Sequence, residues 1–163
     1  MEPETNIERG RRGAAMVTAF LAASANAGAT LSPAARAALG RATVEDYPLR
    51  EEDGPDDQDD PVAMLSSALT DIYHHADGIQ TPHGLLGAAL MELSTTVSMV
   101  PALQALEDDG RPGILACTIA ALLSYGDERG VCVHEITDRA YGYWAEEVEE
   151  ERYMRRRAER RTQ

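Results

Sequence analysis

Apolar residues recur along this chain at three- and four-residue steps, the period of one face of an α-helix, and almost nowhere in strict alternation. Ile7, Ala14, Val17, Phe20, Leu21 and Ala25 place a first helix over Ile7 to Asn26. Ser32 before Pro33 reads as an N-cap and first helical position, and with Gly40 as the stop it predicts a short helix of about two turns over Pro33 to Leu39. Asp60-Pro61 repeats that start signal. Val62, Leu65, Leu69, Ile72, Tyr73 and Ala76 then build one apolar face that ends near Asp77 and Gly78. Thr81-Pro82 opens the next helix, carried by Leu85, Leu86, Ala89, Leu90, Leu93 and Val97. After Pro101 a short helical stretch runs through Leu106 into a turn over Asp108 to Gly113. Ile114, Leu115, Thr118, Ile119, Leu122, Leu123 and Tyr125 make a helix stopped at Gly130, and Ile136, Ala140, Tyr143, Trp144 and Val148 form the face of a long last helix.

Short links between successive helices make them antiparallel neighbours. The pattern therefore predicts an all-α bundle of about five to six helices, built from two αα-hairpins with an N-terminal helix packed across them. The hairpins share an order of features: a small residue and Asp (Ala76-Asp77, Gly126-Asp127), then Gly and a β-branched residue (Gly78-Ile79, Gly130-Val131), then a second helix with an early histidine (His83, His134). With a two-residue gap allowed, this order fits an internal duplication or two independent helical hairpins.

One interval breaks the pattern. From Arg41 to Asp60, Glu45, Asp46, Glu51, Glu52, Asp53, Asp56, Asp57, Asp59 and Asp60 are opposed by Arg41 and Arg50 alone. Like charges at this density repel, and little apolar surface offsets the ordering entropy, so residues 41–60 read as a flexible acidic linker inside a single domain spanning 1–163. The Asp56, Asp57, Asp59 and Asp60 group lacks the alternating ligands, central Gly and distal Glu of a calcium loop.

Composition sharpens this without changing it. At 163 residues and 44% hydrophobic content the chain can bury one core, and with one Phe and one Trp that core is aliphatic. The uncharged stretch Gly13 to Ala35 follows Arg9, Arg11 and Arg12 as a signal peptide's would. Glu2, Glu4 and Glu8 and the weak hydrophobicity of Ala22 to Ala29 argue against both that and a membrane span. Cys117 and Cys132 fall in apolar segments and are too few for a disulfide framework, which predicts reduced, buried thiols and a cytoplasmic protein. The formal charge of −13 disfavours contact with nucleic acid or anionic membrane by the molecule as a whole.

Candidate chemistry is sparse. His74, His75, Asp77 and His83 are the one compact group of potential metal ligands, but adjacent helical histidines point about 100° apart, and a His at a helix end also complements the dipole. No nucleophile motif, phosphate loop or dinucleotide fingerprint occurs, so no catalytic residue and no cofactor is expected. The last helix passes from Glu146, Glu147, Glu149, Glu150 and Glu151 to Arg152, Arg155, Arg156, Arg157, Arg160 and Arg161, with residues 152–163 forming a basic C-terminal tail. Tyr141, Tyr143 and Trp144 cannot all face one core, which leaves aromatic surface for self-association. The expected partners are accordingly a protein or a second copy of the chain, engaged through Tyr141, Tyr143, Trp144, Arg155, Arg156 and Arg157. Nucleic acid would be met through the basic tail only, and no membrane is expected.

Two segments carry resemblances. Asn6 to Phe20, with Arg9 and Arg12 ahead of an Ala-rich helix, and Ala68 to Asp77 resemble small helical proteins of unknown function from high-GC Gram-positive bacteria and their phages, which implies an origin but no activity; the role expected from the residues is accessory and non-enzymatic. Leu122 to Trp144 resembles the closing hairpin of MazG-like nucleotide pyrophosphohydrolases, where a run such as Leu123 to Val131 leads into the last helix. That resemblance implies a magnesium-dependent hydrolase holding its metal with Glu-x-x-Glu and Glu-x-x-Asp pairs. The corresponding positions here are Ile119 and Leu122, so no catalytic residue carries over. A third reading, an acidic mimic of DNA, follows from the −13 charge and the Asp-rich interval.

Overall fold

A computed structural model of the chain describes residues 4–47, 60–106 and 110–161. The acidic interval therefore lies mostly outside the described residues, as do 108 and 109 of the predicted Asp108 to Gly113 turn. The described residues form seven helices: α1 (Asn6–Ser24), α2 (Pro33–Val44), α3 (Pro61–His75), α4 (Pro82–Leu93), α5 (Val100–Gln104), α6 (Arg111–Glu128) and α7 (Val133–Arg161). The only β-type pairing among them is one isolated bridge between Thr30 and Val97. The class is all-α, with more helices than the five to six expected. No helix among the described residues is long and apolar enough to cross a membrane.

The helix starts follow local chemistry. Thr5 and Glu8 close a capping box on α1. Ser32, Asp60 and Thr81 each accept a backbone N–H ahead of a proline in the first turn of α2, α3 and α4. The ends depart from expectation where packing outweighs local preference. Gly40 does not stop α2, which runs on to Val44. Helix α4 ends at Leu93, and Val97 belongs to the bridge with Thr30 instead. Helix α6 begins at Arg111, ahead of the expected Ile114, because Pro112 sits in the first turn, where its missing N–H costs nothing.

Helices α3 and α6 are the two central rods. Residues 65–74 of α3 and 115–123 of α6 are buried without interruption. Helices α1 and α7 flank α3, while α2 and α4 flank α6. Leu65, Leu69, Ile72, Leu115, Ile119, Leu122 and Ile136 meet between them with essentially no exposed surface. Complete burial of each such side chain contributes about 1.5–3 kcal/mol.

The two halves are built alike. Helix α1 crosses α3 at Gly13, where an added Cβ would lie 2.2 Å from the Asp71 carbonyl oxygen and 2.8 Å from the His75 Cβ. Helix α2 crosses α6 at Gly40, where an added Cβ would lie 2.0 Å from the Ala121 carbonyl oxygen and 2.9 Å from the Tyr125 Cβ. Four residues before each glycine stands a buried arginine that pairs with a glutamate of the other half's second helix: Arg9 with Glu147 of α7, and Arg36 with Glu92 of α4. The links after α3 and α6 also correspond, turning through Gly78 and Gly130 at φ 77° and 75°, a region that favours glycine. The likeness of the hairpins thus extends to the helices that cross them.

One cysteine departs from expectation. Cys117 is buried, but Cys132 is exposed, because it precedes the first turn of α7, where its carbonyl accepts from Ile136. Burial, then the neighbouring Glu92, pushes the Cys117 thiol up to about 12, so it carries almost no thiolate at neutral pH. A thiol-exchange reagent at pH 8 is expected to titrate one cysteine in the folded protein and two in denaturant, with Cys132→Ser abolishing the native reaction. Gly13→Ala is expected to cost about 3 kcal/mol in urea unfolding by overpacking. Gly87→Ala, where a Cβ meets nothing within 4 Å, should stabilise by up to about 1 kcal/mol.

Candidate functional site

Two clusters of polar side chains compete for a functional reading, and their electrostatics separate them. The first lies where α1, α3 and α7 meet. Asp71 is fully buried and accepts a two-pronged contact from Arg12, Nε at 2.7 Å and Nη2 at 3.1 Å, and a third hydrogen bond from the Tyr47 hydroxyl at 2.7 Å. Arg12 also pairs with Glu4. Next to it, Arg9 Nε stands 3.2 Å from Glu147, Arg9 Nη1 donates to Asn6 at 2.9 Å, and His74 Nε2 lies 2.8 Å from the same glutamate. Each buried charge meets an opposite one, so the cluster is a closed electrostatic clip. It joins three helices, and its outer members Asn6 and His74 border a neighbouring cavity.

The second cluster is open. The link from α3 to α4 turns tightly, with Ile79 and Gln80 N–H groups both donating to the Ala76 carbonyl at 2.8 and 3.1 Å. That turn forms one wall of a cleft of about 580 Å³, and α7 forms the other. The size falls within the range of small-molecule sites. Helix α7 is held in register along α3 by Ser66 donating to the Ile136 carbonyl at 3.3 Å and Thr70 donating to the Ala140 carbonyl at 3.1 Å. This parallel alignment brings Tyr141, Trp144 and Arg152 of α7 beside Asp77, Gln80 and His83. The rings make a continuous aromatic surface: His83 meets Tyr141 edge-on at 4.6 Å between centroids, and Tyr141 meets Trp144 at 5.6 Å. Tyr73 also lines this cleft although it is only 2% exposed. Burial raises its hydroxyl well above the ordinary tyrosine value, so the group stays protonated and able to donate.

The sequence-predicted residues are divided by this arrangement. Tyr141 and Trp144 line the cleft, whereas Tyr143 is half-buried elsewhere on α7. Arg155 lies 4.0 Å from Glu151 and borders a neighbouring cavity of about 490 Å³ with His74 and His75. Burial, then the charge of Arg111, holds His75 below the usual histidine range. Arg156 donates to the Arg152 carbonyl at 3.3 Å, and Arg157 is exposed. Of the four candidate metal ligands, His74, His75 and Asp77 border the second cavity, with His74 paired to Glu147, while His83 stands apart, edge-on to Tyr141 in the first. Among the described residues no three His, Cys, Asp or Glu side chains are grouped to hold a metal ion.

Sequence reasoning left Tyr73 as core, Gln80 as link and Arg152 as tail. A usable signal existed for the last, because Tyr141, Trp144 and Arg152 stand at i, i+3 and i+11 and so share one helical face. Ile119 and Leu122, at the positions where a MazG-like enzyme would carry carboxylates, are both packed in the core. No protein-family model matches the chain, and neither the curated proteins nor the solved structures hold a significant match.

The closed cluster generates a stability prediction. Asp71→Ala leaves Arg12 and the Tyr47 hydroxyl without their shared partner and is expected to cost about 3 kcal/mol or more in urea unfolding. Tyr47→Phe, which removes one hydrogen bond, should cost about 1 kcal/mol.

Proposed function

We propose that the protein is a non-enzymatic interaction protein that associates with a second copy of itself through the far end of α7. The observation that carries this reading is the exposure of residues 152–161, every one of which is solvent-exposed within a continuous helix. Six of those ten residues are arginine, opposed by Glu159 alone. Arg152 and Arg156, Arg156 and Arg160, and Arg157 and Arg161 stand four apart, a spacing at which like charges repel. The helix dipole offsets part of that repulsion at a C-terminus, and an acidic partner removes the rest.

The chain carries its own complement. Residues Glu45 to Asp60 hold nine carboxylates and one arginine. Asp60, at the end of that interval, lies 3.5 Å from Arg139 of α7. Arg155 stands sixteen residues, about 24 Å, further along the same helix. Asp60 and the basic end are thus separated along one rod. Two copies related by a two-fold axis and lying antiparallel bring each basic end to the other's Asp60 end and satisfy both.

This association is electrostatic and therefore sensitive to salt. Sedimentation at about 100 µM protein, where an association stronger than about 5 kcal/mol is visible, should show a dimer at low salt. At 1 M salt, where charges are screened beyond about 3 Å, it should show a monomer. The combined Arg155→Glu, Arg156→Glu and Arg157→Glu variant should be monomeric at both. A monomer at every salt concentration for the unaltered chain would overturn the reading.

A further inference from the structure

The cleft between the α3–α4 turn and α7 shares only Arg152 with the basic arm, and its lining has a direction. At its inner side Tyr73 is almost wholly buried, with a protonated hydroxyl that makes no hydrogen bond to any described residue. That hydroxyl opens on the cleft, where a ligand acceptor can take its hydrogen for a net gain of about 1 kcal/mol. The inclined rings of His83, Tyr141 and Trp144 give one side of the cleft aromatic contact area that suits a flat ligand. Asp77 and Gln80 stand beside it on the turn, the first an acceptor that suits an amino group and repels an anion. Arg152 closes the cleft eight residues, about 12 Å, beyond Trp144 along α7. No ion pair joins Arg152 to a carboxylate among the described residues, and its planar fork suits a phosphate.

We propose that this cleft binds a nucleotide whose base carries an exocyclic amino group. The base stacks on Tyr141 and Trp144, its amino group donates to Asp77, a ring acceptor takes the Tyr73 hydroxyl hydrogen, and the phosphate lies on Arg152. The acidic character of the molecule sets the ligand's size. A single nucleotide presents its phosphate to Arg152 alone, whereas a polynucleotide carries further phosphates past the cleft over a molecule of formal charge −13.

Trp144 is the sole tryptophan of the chain, so its fluorescence reports on the site without labelling. Titration of the full chain with adenosine monophosphate is expected to quench that emission saturably. Adenosine should quench about tenfold more weakly, and inorganic phosphate should leave the emission unchanged. Arg152→Gln should weaken the monophosphate about tenfold and leave adenosine as it was, which a general loss of structure would not do. Tyr73→Phe should weaken both by about fivefold, the equivalent of one hydrogen bond. A sample that sediments as a monomer should quench with the same midpoint as one that sediments as a dimer, so the two readings fail separately. The proposal is overturned if no saturable quenching occurs, if Arg152→Gln affects adenosine and its monophosphate alike, or if a single-stranded oligonucleotide quenches where the mononucleotide does not.

Discussion

Backbone-to-backbone contact at two glycines governs this molecule. At Gly13 and Gly40 the crossing helices approach so closely that even a methyl group would stand near 2 Å from a carbonyl oxygen. The approach fixes where α1 lies on α3 and where α2 lies on α6. The arginine one turn before each glycine is thereby carried into the interior. Arg9 and Arg36 become buried cations and require the glutamates that α7 and α4 supply. A charge so placed is costly without its partner, so the glycine crossings also constrain the outer helices.

The same logic accounts for what remains at the surface. Buried charge on α1 is matched by Asp71, Glu147 and Glu4, which closes the clip. The parallel register of α7 on α3 has the opposite effect beyond the clip. There α3 has ended, α7 continues, and the turn into α4 leaves a gap bordered by aromatic rings and Arg152. Further on, residues 152–161 of α7 are exposed. A single long helix thus passes from core wall, through cleft wall, to exposed arm.

Much of the fold was legible because its signals are local. A capping side chain followed by proline marked the starts of α2, α3 and α4, and helical spacing of apolar residues marked their inner faces. Gly40 shows where local reading fails. A glycine within a helical pattern reads as a stop on conformational grounds, but here its lack of a Cβ serves a crossing with α6, a partner about eighty residues away in sequence. Tyr73 shows the same limit: its spacing placed it correctly in the core, yet spacing says nothing of a cleft that opens beside it. The histidines were singled out as a group because they are close in sequence, and the fold sends His83 to a different cavity from His74 and His75.

The sequence by itself determined the all-helical class, most helix starts, the apolar faces and the uneven distribution of charge. These depend on hydrogen bonds and side-chain periodicity within a few residues. Tertiary structure alone decided that Arg9, Arg12 and Asp71 form an internal clip, that Cys132 is exposed, and that Tyr73, His83, Trp144 and Arg152 border one cleft. Those outcomes depend on how helices cross and in what register they lie. Register is set by the fit of whole surfaces, the glycine contacts foremost among them, and no short stretch of sequence contains it.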